Sequence, residues 1–573
     1  MHRRVFHRLA VLVSAFVPAL AQAGPAGDSE RAIVHPVFAQ HGMVASQEAN
    51  ATRVGVEVLE HGGNAVDAAV SVAFALAVTL PSAGNLGGGG FMLVHTAATG
   101  DTVAIDYREK AGSRASRDMF LDEAGNADPK KSLESGLAVG VPGTVAGLAL
   151  ALQRYGTIGL AKAVAPAIEL AEHGIRVSPE LAASLQNAAE RLHRWPSSAR
   201  IFLHPDGTPY AAGEVLVQSD LARSLRRIAE QGPSGFYDGP VAQAIVDEVG
   251  RAGGNLTLED LEGYQAVMRA PVAGSYRGYE IRSMPPPSSG GVHLIEILNT
   301  LEGVPIGSLG QNSAQTIHMM TEAMKFAYAD RSAYLGDPDF VDVPVKALTS
   351  KAYAKAILGR ISRDGAMPAS EIRPGDLGPF ESADTTHFSV VDRDRNAVAN
   401  TYTLNFGYGT GLVAEGTGIL LNNELDDFSA KAGVPNAYGL IGNAANAVAP
   451  DKRPLSSMSP TIVLSDGKPF LVTGSPGGSR IITTTLQVIM NVIDHGMNVA
   501  EATYAPRIHH QWLPDQLRVE AGLSPDTVRL LEQMGHHVVT GDTMGSTQSI
   551  MVTDQGLFGS SDPRTPGDLT LGY

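Results

Sequence analysis

The chain has 573 residues, 44% hydrophobic and 18% charged, an ordinary composition for a globular protein with a large core. A formal net charge of −16 argues against nucleic acid as a partner and for a soluble, self-repelling surface. Cysteine is absent, which removes disulfides, thiolate metal sites and cysteine nucleophiles together.

The chain opens with Arg3, Arg4 and Arg8, then an apolar run over residues 9–20, then Ala21-Gln22-Ala23, a small-x-small pattern. This reads as a secretory leader cleaved after Ala23, because the run is shorter than the roughly 20 apolar residues a spanning helix needs. Residues 64–80 approach that length, but they contain Asp67 and many small side chains. They read as a buried helix with Asn64 as N-cap and Asp67 in the first turn. No other stretch reads as a membrane span.

The helical pattern begins at Ala45 and runs to Leu80, punctuated by Gly62-Gly63. The glycine run at 84–90 precedes a strand at 91–96. It reads as a tight buried turn, or as backbone that approaches a ligand or another strand. A phosphate-cradling loop does not fit, since no Lys-Ser/Thr follows and a strand comes next. Residues 102–107 form a strand with Arg108-Glu109 at its end. Arg108 is either an ordinary surface arginine or a bidentate clamp for a carboxylate.

A helix at 145–155 follows, and helical patterns fill most of 161–250 apart from a Pro/Gly segment near 205–213. Residues 258–264 and 276–282 lead to MPPPSSGG at 284–291. A serine nucleophile there would want the G-x-S-x-G elbow, which the chain lacks. Residues 313–335 read as an amphipathic helix with Met319, Met320, Met324 and Phe326 in the core. Beyond 385, strands and Gly/Asn/Asp turns dominate to about 472. Helices are expected at 483–495 and 524–534, and a last strand pair at 549–558. The pairs His509-His510 and His536-His537 come without HExxH, so they read as structural or surface groups, and neither a metal nor a cofactor is expected.

The chain is organised around residues 384–405, DTTHFSVVDRDRNAVANTYTLN. Residues 363–383, just upstream, are rich in Gly, Pro and charge and read as exposed linker. Two strand-like runs flank Arg393-Asp394-Arg395, a three-residue hairpin loop. Val391 then faces Ala397, and counting back sets Thr385 opposite Thr403, with Cβ atoms about 5 Å apart. Threonine is also simply a good strand former. A cut before Thr385 would separate the two readings. A free α-amine has a pKa of about 8, against about 10.4 for lysine, and it is tethered to the hydroxyl it must deprotonate. In an intact chain the same nitrogen is a non-basic amide.

The segments TTHFSVVD, TYTLN, GILLNNELDDFS, RPLSSMSPT, VTGSPGGSRI and HHQWLPD resemble the small subunit of the γ-glutamyltranspeptidase (γ-glutamyltransferase, glutathione hydrolase) family of N-terminal nucleophile hydrolases. GGGGFM, DYRE, VGVPGTVAG and PPPSSGGVHL resemble its large subunit. The resemblance covers nearly all of the mature chain. It implies an α/β (α+β) fold, a four-layer αββα sandwich. It also implies self-cleavage between Asp384 and Thr385 into a large subunit, 24–384, and a small subunit, 385–573, that stay together as a heterodimer. The expected location is periplasmic or secreted, with no membrane span once the leader is gone.

Position by position, the resemblance makes Thr385 the nucleophile with its α-amine as base, and Thr403 the hydroxyl that bonds to it. Gly477 and Gly478 become the oxyanion hole, where loss of one donor typically lowers the rate by about 10²- to 10³-fold. Arg108, Ser456 and Ser457 hold the α-carboxylate of a γ-glutamyl group, and Asn405, Glu424 and Asp427 its α-ammonium. Residues 435–438 form a lid with Tyr438 as its gating aromatic. The implied substrates are glutathione and other γ-glutamyl compounds, with water or an amino acid or peptide as acceptor. The chain departs from the family pattern at Asp384, where a neutral residue is familiar, at Tyr107 and Gly112, and at Glu424, where some members carry Gln. Two rival readings are a cephalosporin or glutaryl acylase on the same fold, and an exported binding protein that is never processed.

Overall fold

A computed structural model describes residues 32–372 and 385–573. The leader, most of the linker and Asp384 lie outside the described residues. Two seven-stranded sheets form the centre, and every pairing in them is antiparallel. The first runs in the order Leu569–Gly572, Met43–Ser46, Thr386–Val391, Ala397–Thr403, Gly89–Thr96, Asp101–Tyr107, Val267–Arg269. The second runs Val37–Ala39, Gly556–Ser561, Gln548–Thr553, Lys468–Thr473, Thr461–Ser465, Tyr279–Ser283, Val272–Tyr276.

Alternation along the strands sorts side chains into layers. On the first sheet, Val44, Met92, Val94, Phe388, Val390 and Val398 pack outward against helices that include Ala65–Thr79 and Leu160–His173. The opposite face presents Phe91, Leu93, Val391, Ala397 and Ala399 to Ile462, Leu464, Val472 and Ile550 of the second sheet. The second sheet sends Ile281, Val463, Leu471 and Met551 outward against Gly290–Leu301, Ala314–Tyr334 and Arg480–Ile493. The result is the αββα sandwich that the resemblance implies.

The capping box at Asn64 is present. Its side chain accepts from Val66 N and Asp67 N, and Asp67 accepts from Asn64 N. Such a cap contributes about 1 kcal/mol. Other expectations need correction. The first helix begins at Ala49, not Ala45, because Met43–Ser46 pairs with the central strand Thr386–Val391 and with Leu569–Gly572. Four residues show too little alternation to reveal a strand that long-range pairing creates. Helix Ala314–Tyr334 is not amphipathic: every residue from Thr316 to Ser332 is buried. Its charges are satisfied internally, Lys325 on Glu322 at 2.9 Å and Asp330 by the Tyr353 hydroxyl at 2.6 Å. The region 404–460 holds only the two-residue strands Val413–Ala414 and Ile419–Leu420. Side-chain amides replace the ladder there, since Asn422 alone bonds Gly87 O, Gly140 O, Gly140 N and Glu424 N. Among the described residues, no helix is long and apolar enough to cross a membrane.

Candidate active site

The hairpin has the expected pairing, with Val391 opposite Ala397 and Thr386 opposite Tyr402. Arg395 closes the loop in the left-handed conformation, φ 67°, that three-residue hairpins use. Asp392 fixes the loop by accepting from Asp394 N and Asn396 N, and it reaches Ala65 N at the start of helix Ala65–Thr79, at 2.9 Å. That anchors the hairpin to the outer helix layer. Thr385 consequently lies beside Thr403 and donates its hydroxyl to Thr403 Oγ1 at 3.3 Å. Thr403 Oγ1 also accepts from Asn405 N at 2.9 Å, so its position is set by backbone. The glycine run at 84–90 is a buried turn and also a close approach to this hairpin: a Cβ on Gly88 would lie 2.1 Å from Thr403 O.

By strand alternation, Thr385 shares the face of His387 and Ser389, which look toward the second sheet. There the strand Lys468–Thr473 delivers the loop 474–478 to the N-terminus of helix Arg480–Ile493. Gly477 and Gly478 have φ of 131° and 55°, conformations that favour glycine. Their N–H groups have no acceptor among the described residues, and they stand at the positive end of the helix. His387 is no rival base. Burial holds its pKa down to about 3, and its ring nitrogens are taken by Thr401 and Ser389 hydroxyls at 2.8 and 3.1 Å.

Arg108 is fully buried at the end of strand Asp101–Tyr107, so it is not an ordinary surface arginine. Its guanidinium bonds Glu424 and Asp427, and Nε donates to Pro454 O at 3.2 Å. Glu109 stands behind, 3.9 Å from the same guanidinium. Burial would lower the arginine pKa, but the three carboxylates reverse that and raise it. Burial raises all three carboxyls, and the guanidinium opposes that rise. Ser456 Oγ accepts from Met458 N, and Ser457 Oγ accepts from Arg331 Nη2 at 3.2 Å.

Tyr438, the expected gating aromatic, is buried. Its ring stacks on Phe406 with centroids 4.9 Å apart, and its hydroxyl donates to Asn405 O at 2.8 Å. Asn436 bonds Asp427 at 3.2 Å, and Asp426 accepts from Ala437 N at 3.1 Å. The segment 435–438 is thus tied to the acid cluster. Arg108, Thr385, Thr403, Asn405, Glu424, Asp427, Tyr438, Ser456, Ser457 and Gly478 all line one pocket. Gly477 lines the neighbouring cleft, which also reaches Thr385. The pocket itself retains about 20 Å³, room for a single water.

Sequence reasoning missed Arg331 and Gln511. Arg331 donates to Ser289 and Ser457 hydroxyls, and burial lowers its pKa to about 10. Gln511 donates to Tyr438 O at 3.3 Å and accepts from Ser479 at 2.7 Å, joining the segment 435–438 to the end of the glycine loop. Arg331 gave no distinct signal, being one of several charges, with Lys325 and Asp330, in a helix read as amphipathic. Of the histidine pairs, His509, His510 and His536 are buried and His537 is exposed. His318, Glu322 and His536 bring three ligand atoms within 4.8 Å of one another. However, His318 already bonds His536 and Ser362 O, and Lys325 supplies the cation on Glu322.

Known proteins share this architecture. A structure of cephalosporin acylase from Bacillus halodurans superposes with a TM-score of 0.82 at 29% identity, covering 95% of this chain and 99% of that one. The Helicobacter pylori gamma-glutamyltranspeptidase structure gives 0.58 at 47% identity, covering 61% of this chain and 100% of that one. The glutathione hydrolase proenzyme of Escherichia coli K12 is 60% identical over 546 residues, 95% of this chain and 94% of its own length. With the family's sequence model, Gamma-glutamyltranspeptidase, matched over residues 51–571, the chain belongs to the gamma-glutamyltranspeptidase family.

Proposed function

We propose that the chain is an exported proenzyme that cuts itself between Asp384 and Thr385 and then acts as a glutathione hydrolase and γ-glutamyltransferase. The leader leaves after Ala23, and the products are a large subunit, 24–384, and a small subunit, 385–573. The new α-amine of Thr385 takes the proton of its own hydroxyl, and Oγ1 attacks the γ-carbonyl of the donor. The C–N bond breaks, the amine leaves with that proton, and a γ-glutamyl ester remains on Thr385. Water or an acceptor amine then attacks the ester. The C–Oγ1 bond breaks, and a proton from the nucleophile returns to Oγ1 through the α-amine.

Thr403 orients the nucleophile, and the N–H groups of Gly477 and Gly478 receive the oxyanion. A γ-glutamyl group is a zwitterion, and Arg108 with Glu424 and Asp427 is its mirror. Binding exchanges the internal pairs of Arg108 with Glu424 and Asp427 for external ones: carboxylate on Arg108, Ser456 and Ser457, and ammonium on Glu424, Asp427 and Asn405. Because the closed pocket has room for only one water, Tyr438 or the Arg108 ion pairs must move to admit the donor.

The observation that carries this reading is the Thr385–Thr403 hydroxyl pair, 3.3 Å apart, set between an arginine–acid pocket and two N–H groups at a helix N-terminus. The acylase reading draws on the likeness to the Bacillus halodurans protein. A glutaryl group lacks the α-ammonium that Glu424 and Asp427 would face, so the two readings part on substrate. Rates with γ-glutamyl-p-nitroanilide and glutaryl-p-nitroanilide decide. The γ-glutamyl compound should be cleaved far faster. Preference for the glutaryl compound would make the chain an acylase, and a single unprocessed band that binds glutathione would make it a binding protein.

A further inference from the structure

Arg108, Arg331, Arg453 and Arg507 are buried, and three of them meet acids. Arg108 bonds Glu424 and Asp427, Arg453 lies 3.4 Å from Asp106, and Arg507 bonds Asp562. Arg331, in helix Ala314–Tyr334, has no carboxylate at ion-pair distance among the described residues. Asp427 attracts it from further away and is itself bonded by Arg108. A buried charge without a counter-ion is costly, so what Arg331 does bond carries the explanation.

Its Nε donates to Ser289 Oγ at 3.0 Å and its Nη2 to Ser457 Oγ at 3.2 Å. Ser289 passes the contact on, its hydroxyl donating to Ser456 O at 2.8 Å. The MPPPSSGG stretch therefore backs the segment 456–458, with the Ser288 hydroxyl on Met458 O at 2.6 Å and Ser289 N on Ser456 O at 2.8 Å. These bonds set the sense of two hydroxyls. A serine hydroxyl has one hydrogen to donate and lone pairs to accept. Ser457 Oγ accepts from Arg331, and Ser456 Oγ accepts from Met458 N at 3.1 Å. Neither hydroxyl hydrogen has an acceptor among the described residues, and both serines line the pocket that holds Arg108. Burial first, and the repulsion of Arg108 last, lower the pKa of Arg331. An anion bonded to Ser457 and Arg108 offsets both.

Building on the proposed function, in which Arg108, Ser456 and Ser457 take the donor's α-carboxylate, we infer that Arg331 is a positioning residue for that carboxylate. It does not line the pocket. It acts through Ser457, and through Ser289 on Ser456, by holding both hydroxyls as donors and adding positive potential behind them. It thereby sets the preference for donors that carry an α-carboxylate over donors that carry the ammonium alone.

The test compares γ-glutamyl-p-nitroanilide with 4-aminobutyryl-p-nitroanilide, the same chain without the α-carboxylate, on the processed protein. Arg331→Gln should raise KM for the γ-glutamyl donor about tenfold, the loss of one charge-assisted hydrogen bond, with a smaller change in kcat. Its kcat/KM with the 4-aminobutyryl donor should fall far less, so discrimination between the two drops about tenfold. Arg331→Lys keeps the charge without the fork that spans both serines, so it should recover part of the loss. In a Ser457→Ala background the same Arg331→Gln change should cost less than about threefold, because its route is gone. Arg331 is buried, so Ser289→Ala is measured as well. That variant keeps the guanidinium and should lower discrimination about threefold. If Arg331→Gln does not process, Arg331→Lys and Ser289→Ala decide. A loss shared equally by the two donors, full additivity with Ser457→Ala, or wild-type discrimination in the variants would overturn the role of Arg331 and leave the donor reading standing. A wild type that cleaves both donors equally well would overturn the donor reading, and this role with it.

Discussion

Replacing Arg108 by alanine should remove the donor's anchor while leaving the nucleophile in place. Arg108 is fully buried and bonds two acids and the Pro454 carbonyl, so it cannot be replaced by solvent. A hydrogen bond to a charged group contributes about 1.5–3 kcal/mol, and loss of the bidentate carboxylate contact should cost about 3 kcal/mol, on the order of 10²-fold in kcat/KM. A second effect follows from charge. Burial already raises Glu109, Glu424 and Asp427, and without the guanidinium they rise further. The protonated fraction of the three acids then grows, so less negative charge faces an ammonium. The variant should therefore gain donor affinity with rising pH more steeply than wild type. Arg108→Lys should fall between, since one ammonium cannot span both acids and the carbonyl. The assay is initial rate against γ-glutamyl-p-nitroanilide concentration, with processing checked on a denaturing gel. A processed Arg108→Ala protein with a donor KM within twofold of wild type would refute the reasoning.

Thr403→Val keeps shape but removes the acceptor of the Thr385 hydroxyl and of Asn405 N. Processing should slow and kcat fall about tenfold, with Thr403→Ser restoring both, as read by band densitometry and rate. Gly478→Ala places a methyl 2.5 Å from the Tyr438 ring at a φ of 55°, so kcat should fall by about 10²-fold, with the two subunits still seen on the gel. Burial holds His293, His387 and His509 neutral, with pKa values of about 3. The unfolded imidazole titrates near 6.5, so the unfolded chain binds protons first as pH falls. Stability should drop from about pH 6.5 downward by up to about 1.4 kcal/mol per pH unit for each histidine. Thermal midpoints that stay flat between pH 7.5 and 5.5 would contradict this.

The hairpin was legible because a three-residue loop and a period of two leave a single pairing, and that pairing sets Thr385 beside Thr403. The Asn64 cap was legible for the same reason, its signal being confined to four residues. Arg108 could not be placed by spacing, since its partners Glu424 and Asp427 lie more than 300 positions along the chain. The helix at 314–334 misled because its charges pair in the interior. Composition records the charge, and only the contacts of Lys325 and Arg331 record where it is neutralised or bonded. The region 404–460 looked strand-like because its asparagines resemble turn residues between strands. In the fold they are the partners of the backbone, as Asn422 and Asn423 do at Gly87, Gly140 and Phe406.

The central claim is that Thr385 is made into an N-terminus and then acts as nucleophile. N-terminal sequencing of the smaller band of the purified wild-type protein, run beside Thr385→Ala, tests it most directly. The account predicts a sequence beginning Thr-Thr-His-Phe-Ser from Thr385, and one uncut, inactive band for the variant. A wild-type fragment that begins elsewhere, or a fully processed Thr385→Ala protein, would contradict it.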